Sequence, residues 1–128
     1  MVVGGSYPGA LAAWFRYKYP HLTVGGWSSS GVVESIADYV QYDGQVRDDL
    51  MKSGDACYDN ITSIIKTIEG DIAAAKTAFG VDAAVPDDEF LMNIGDVVAV
   101  SNQYSDRVAF CEYVIGKPTM NDLAEWSK

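Results

Sequence analysis

A chain of 128 residues with 48% hydrophobic and 21% charged side chains has the makeup of one compact globular domain at most and is too apolar to stay disordered. Its net charge of −9 makes nucleic acid a poor partner, and it contains no run of about 18 apolar residues that could span a membrane. The N-terminus also lacks the basic and apolar regions of a secretory signal.

The charge is unevenly distributed. The first 33 residues carry Arg16 and Lys18 and no acid, whereas all 18 Asp and Glu lie between Glu34 and Glu125. Two pieces of different character therefore meet near Gly31: an apolar segment expected to be buried, then a solvated acidic one. We place the division at residues 1–33 and 34–128.

In chain order, Met1-Val2-Val3 reads as a short strand that breaks at Gly4-Gly5, and Ser6-Tyr7-Pro8-Gly9 leads into a helix beginning with Ala10-Leu11-Ala12-Ala13-Trp14. The helix should end near Tyr19, because Pro20 disfavours the helical conformation for the residue before it. Leu22-Thr23-Val24 with Trp27 predicts a second strand, and Ser28-Ser29-Ser30-Gly31 a loop.

From Glu34 onward the pattern turns helical. Cys57, Ile61, Ile64, Ile65, Ile68, Ile72, Ala75 and Phe79 fall on one face at 3.6-residue spacing, with Gly80 as the stop. Asp87 or Asp88 is placed to cap a further helix with Phe90, Ile94, Val97, Val98 and Tyr104 as its stripe. Val108, Cys111 and Ile115 mark a shorter one that stops at Gly116, and Thr119 with Asp122 caps a last helix containing Leu123 and Trp126. The sum is a strand–helix–strand followed by amphipathic helices. Two strands do not make a stable sheet alone, so this arrangement reads as a piece of something larger.

The informative constellation is Val3-Gly4-Gly5-Ser6-Tyr7-Pro8-Gly9, a serine between glycines at a strand-to-helix junction. A nucleophile elbow needs this layout: the serine is strained at the tip of the turn, and a neighbouring Cβ would strike the adjoining strand or helix. Gly4 and Gly5 supply the room, and Gly9 completes the candidate elbow. The helix then points its N-terminus at Ser6, so the backbone N–H of Tyr7 can serve as half of an oxyanion hole. The usual Gly-x-Ser-x-Gly spacing is shifted, with Pro8 two after the serine and the glycine one later. Local sequence leaves open a plainer reading, in which Ser6 only caps the helix.

The longer run decides between them. Gly4-Gly5-Ser6-Tyr7-Pro8-Gly9, then Ala13-Trp14-Phe15-Arg16, then Lys18-Tyr19-Pro20-His21 resembles the nucleophile region of the S28 serine peptidases, and Gly26-Trp27-Ser28-Ser29-Ser30-Gly31-Val32 resembles that family's next strand. The resemblance implies a fold of the α/β class: a partial α/β-hydrolase of strand, nucleophile elbow, helix and strand over residues 1–33. It also implies a mostly α-helical inserted cap, incomplete in this chain, over residues 34–128. It implies a serine-type exopeptidase of the prolyl carboxypeptidase or dipeptidyl-peptidase class, acting through an acyl-enzyme on Ser6 with no metal or organic cofactor. The implied partner is a peptide with proline near the cleaved bond, the implied setting lysosomal, vacuolar or secreted, and a homodimer of the whole enzyme stays open.

The resemblance also places the triad Asp and His after the cap, beyond this chain, which alone should be inactive. The single histidine, His21, follows a helix of about ten residues at about 1.5 Å each, so it is about 15 Å or more from Ser6 and is not the base. Ala10 stands where relatives carry a larger apolar residue toward the substrate pocket. Cys57 and Cys111 admit a disulfide, two thiols, or bridges to residues elsewhere. The resemblance favours the pair, as the family's cap carries disulfides between its helices. Asn60-Ile61-Thr62 is a glycosylation sequon at the edge of a buried helix face. Two other readings remain: a non-catalytic helical remnant that binds peptides or proteins, and an esterase or lipase sharing the elbow.

Overall fold

The computed structural model describes residues 1–104 and 106–128, and it divides into two compact units, Met1–Tyr39 and Val40–Lys128. The described chain is mostly helical, with a small parallel sheet.

The first unit is β1 (Val2–Gly5), α1 (Tyr7–Lys18) and β2 (Gly26–Ser29), with the two strands parallel and in register from Val2 opposite Gly26 to Gly5 opposite Ser29. Helix α1 ends where Pro20 predicts, at Lys18. Two boundaries differ from expectation. Strand β1 runs through Gly4 and Gly5 instead of breaking there, because its ladder continues opposite Ser28 and Ser29. Residues Leu22–Val24 form no strand. The Arg16 guanidinium donates to the carbonyls of Pro20 and Thr23, which turns this stretch back toward α1 and delays the strand to Gly26.

The expectation that this segment is buried is also corrected. Only Gly9, Ala10 and Ala12 of α1 are buried, while Val3 and Trp27, partners across the ladder, are each 64% exposed. One helix on a two-stranded sheet has too little surface to cover the apolar side chains of both. Residues 34–39, expected to turn helical, form no helix, since Val32 to Tyr39 are all exposed and so short a stretch is not helical without a packed face.

The second unit is built from α2 (Tyr42–Met51), α3 (Asp55–Gly70), α4 (Ile72–Phe79), α5 (Asp87–Tyr104), α6 (Arg107–Gly116) and α7 (Met120–Trp126). Helix α3 is its hub. Cys57, Ile61, Ile64 and Ile68 recur at helical spacing and are buried against Leu50 of α2, Phe110 and Val114 of α6 and Leu123 of α7. The predicted stripe to Phe79 is one face of two helices, not one helix. At Asp71 the backbone leaves helical geometry and the carboxylate accepts from the Ala74 N–H at 3.0 Å, capping α4. Gly80 stops α4 in the left-handed region at φ 69°, as its position predicts.

Asp87, Asp88 and Glu89 occupy the first turn of α5, and the Pro86 carbonyl receives the Phe90 N–H at 3.0 Å, so neither aspartate is the residue before the helix. Tyr104, Val108 and Ile115 are 74%, 50% and 43% exposed, which removes them from the predicted stripes. The last helix begins as its sequence dictates: Thr119 and Asp122 form a reciprocal capping box. Lys76 is buried, with Nζ 2.5 Å from the Val85 carbonyl and 2.6 Å from Asp87 Oδ1, so it ties the turn between α4 and α5. No helix among the described residues is long and apolar enough to cross a membrane.

Cys57 of α3 and Cys111 of α6 are joined by a disulfide, with Cα atoms 5.2 Å apart and a sequence separation of 54. Closing a loop of that length removes enough denatured-chain entropy to contribute about 4 kcal/mol on the chain-entropy account. That is a large part of what a domain of this size possesses. Reducing the bridge is therefore expected to lower the thermal midpoint of the helical unit, followed by circular dichroism at 222 nm with and without dithiothreitol. Equal midpoints would mean that the isoleucine core alone sets its stability.

Candidate active site

The serine at position 6 stands between the end of β1 and the start of α1, and its backbone sits at φ 57°, ψ −126°. That region is disfavoured for a residue with a Cβ and costs on the order of 1–3 kcal/mol, so the surroundings must impose it. Two hydrogen bonds do so. The Ser6 N–H donates to the Ser29 carbonyl at 2.9 Å, extending the ladder by one rung, and the Ser6 carbonyl accepts from the Ala10 N–H at 3.2 Å, opening the helix. Ser6 thus belongs to the sheet on one side and the helix on the other, and it is exposed. Its side chain makes no capping hydrogen bond to α1, so the plainer reading of Ser6 as a helix cap fails.

The turn is possible only where particular residues lack a side chain. A Cβ on Gly4 would lie 2.1 Å from the Pro8 carbonyl oxygen, and one on Gly9 would lie 2.9 Å from the Ser29 carbonyl oxygen. Gly5 is different: a Cβ there meets nothing nearer than the Ser29 carbonyl oxygen at 3.8 Å, so the room it was expected to supply is not needed. Sequence reasoning missed Gly31, whose Cβ would come within 3.0 Å of Gly9 and 3.1 Å of the Ala10 nitrogen. It lets the chain leaving β2 pass close over the start of α1.

Tyr7 is the first residue of α1, with Pro8 next, so its N–H lies in the first turn, where helix geometry supplies no partner from the preceding turn. The positive end of the helix axis and this N–H face the same junction as Ser6. His21 lies in the turn beyond the other end of α1, whose 12 residues span about 18 Å, so it is not brought to Ser6. Ala10 is fully buried, at the contact with Gly31. Among the described residues no group of three or more His, Cys, Asp or Glu is placed to hold a metal.

Beside the elbow, the first unit has a cleft of about 530 Å³ walled by Tyr7, Trp14, Val32, Ile36 and Tyr39, with Glu34 on its lining. No periodic pattern in the sequence marks it, because its far wall is an irregular segment. In the second unit, Asn60 is half-buried within α3.

The sequence compares with known proteins as the geometry would suggest. The profile of serine carboxypeptidase S28 matches residues 1–116. The chain belongs to the S28 serine peptidase family. It is 33% identical over 112 residues to the probable serine protease EDA2 of Arabidopsis thaliana, covering 84% of this chain and 22% of that protein. It is 42% identical over 64 residues to the human lysosomal Pro-X carboxypeptidase, covering 48% of this chain and 13% of that protein. It is 44% identical over 50 residues to the human thymus-specific serine protease, covering 39% of this chain and 10% of that protein. The S28 chain described here therefore spans 22% or less of the length of these relatives. No solved structure matches it.

The glycine geometry gives a direct contrast. Gly4→Ala is expected to destabilise the first unit by about 3 kcal/mol or more through the clash with Pro8, whereas Gly5→Ala should change it by less than about 1 kcal/mol. Urea unfolding of the two variants, followed by tryptophan emission from Trp14 and Trp27, checks this. Equal effects would show that the elbow does not depend on the Gly4–Pro8 approach.

Proposed function

We propose that this chain supplies the nucleophile of a serine exopeptidase, with residues 1–33 as part of an α/β-hydrolase core and residues 34–128 as a helical cap inserted into it. The observation that carries the reading is the conformation of Ser6, strained at an exposed strand-to-helix tip by a sheet rung on one side and a helix on the other. Membership of the S28 family supports the same chemistry. The exposed Val3 and Trp27 support a larger sheet, since their faces are apolar enough to need further strands or helices over them.

In this reading the Ser6 hydroxyl oxygen attacks the scissile carbonyl carbon, the amine leaves, and water then releases the acyl group. The Tyr7 N–H, at the positive end of α1, stabilises the oxyanion formed at each step. A hydroxyl needs a base to do this at neutral pH. His21 is at the wrong end of α1, so the base, its orienting acid and the second oxyanion donor come from other parts of the whole protein. The described chain is by itself inactive on this account.

Cleavage next to proline is the substrate preference supported by the likeness to lysosomal Pro-X carboxypeptidase. The Cys57–Cys111 bridge fits a lysosomal or secreted setting, where disulfides persist.

Ser6→Ala in the full-length protein is expected to abolish labelling by a fluorophosphonate probe and to lower peptide hydrolysis by at least about 1000-fold, with an unchanged circular dichroism spectrum. Turnover retained in the folded variant would remove Ser6 as the nucleophile. The isolated chain of 128 residues should stay unlabelled.

A further inference from the structure

The cleft beside Ser6 carries chemistry that the acyl-transfer reading leaves unused. Its walls are Tyr7, Trp14, Val32, Ile36 and Tyr39, and Glu34 is the only charged side chain among the described residues that line it. Tyr7 follows the nucleophile directly, so the cleft begins one residue from the reacting hydroxyl. Its volume of about 530 Å³ is within the range that takes a small ligand.

Nothing in the described residues neutralises Glu34. No ion pair or hydrogen bond engages it among them, and of the two Lys and Arg side chains in the first unit, Arg16 and Lys18, the second belongs to the last turn of α1, at the opposite end from Ser6. Arg16 is occupied by the carbonyls of Pro20 and Thr23. A lone carboxylate on an apolar, aromatic-walled cleft favours a cation with an attached apolar body, and the faces of Trp14, Tyr7 and Tyr39 favour the same charge. In a peptide a Lys or Arg side chain and the free α-ammonium both answer that description, and of these the α-ammonium is the one that every unblocked short peptide carries. An α-carboxylate would meet repulsion from Glu34 in the same place.

We infer that Glu34 is a specificity residue that binds the free N-terminal ammonium of a short peptide in the Tyr7–Trp14 cleft, so the enzyme removes residues from the amino end. This rests on Ser6 being the nucleophile and decides what that reading leaves open, the terminus that is cut. An extended residue advances about 3.3–3.6 Å, so an ammonium two residues before the scissile carbonyl lies about 7 Å from it, within the reach of a cleft that starts at Tyr7.

The test uses the full-length protein and three fluorogenic or chromogenic peptides: a dipeptidyl-proline coumarylamide with a free amine, the same compound acetylated on that amine, and an N-blocked peptide ending in Pro-Phe. The free-amine substrate is expected to be cleaved with kcat/KM at least about 10-fold above the acetylated one. Glu34→Gln should raise KM for the free-amine substrate by about 10- to 100-fold with kcat and fluorophosphonate labelling retained, while leaving the acetylated substrate unchanged. Glu34→Asp should recover part of the loss. Equal cleavage of free and acetylated substrates, preference for the blocked Pro-Phe peptide, or an unchanged KM in Glu34→Gln would each overturn the inference. Wild-type protein that neither cleaves any of the three nor takes the probe would instead overturn the nucleophile reading, and this inference with it.

Discussion

The first unit depends on the two backbone hydrogen bonds of one residue. The Ser6 N–H reaches across to the Ser29 carbonyl and the Ser6 carbonyl receives the Ala10 N–H, so a single peptide segment must end a parallel ladder and begin a helix at once. No relaxed backbone conformation does both within one residue, which is why Ser6 sits at φ 57°. The absence of side chains at Gly4, Gly9 and Gly31 follows from this demand, because strand, turn and returning loop approach to within van der Waals contact of the first turn of α1. An exposed hydroxyl beside free helix N–H groups is the chemical result.

The helical unit rests on a different constraint. Six helices with a strongly acidic surface share one narrow core, in which Ile61, Ile64 and Ile68 of α3 meet Phe90, Ile94, Phe110 and Leu123. The disulfide from α3 to α6 joins the helix at the centre of that core to one 54 residues later. Lys76 is the polar exception. It is buried because its ammonium finds both the Val85 carbonyl and Asp87, and the pairing offsets the cost of removing a charge from water. Near the chain end, Trp126 packs on Phe110 and Tyr113 and donates its indole N–H to the Ser101 hydroxyl, so α7 is held to α5 and α6 by one side chain that is apolar at one end and polar at the other.

The two units differ in how they treat apolar surface. In the helical unit the large apolar side chains are mostly inside, whereas in the strand–helix–strand unit Trp27, Val24, Leu22 and Tyr17 are exposed. This difference fits the proposed place of the first unit within a larger fold, whose other elements would cover these faces. It also leaves the Tyr7–Trp14 cleft open, and with it the lone carboxylate of Glu34.

Several features were determined by the sequence alone, because each depends on interactions between near neighbours. Pro20 ends α1, Gly80 ends α4, Thr119 and Asp122 cap α7, and the 3.6-residue recurrence of Cys57, Ile61, Ile64 and Ile68 selects the buried face of α3. The S28 family was legible for the same reason, since the run from Gly4 to His21 is one continuous strand, elbow and helix. Other features are set by partners distant in the chain. The start of β2 at Gly26 depends on Arg16 reaching the Thr23 carbonyl, and the need for Gly31 on its passage over Gly9. The cleft beside Ser6 is of this second kind: Glu34 is one acid among 18 in the sequence, and only the folding of residues 31–39 beside Tyr7 and Trp14 sets it apart.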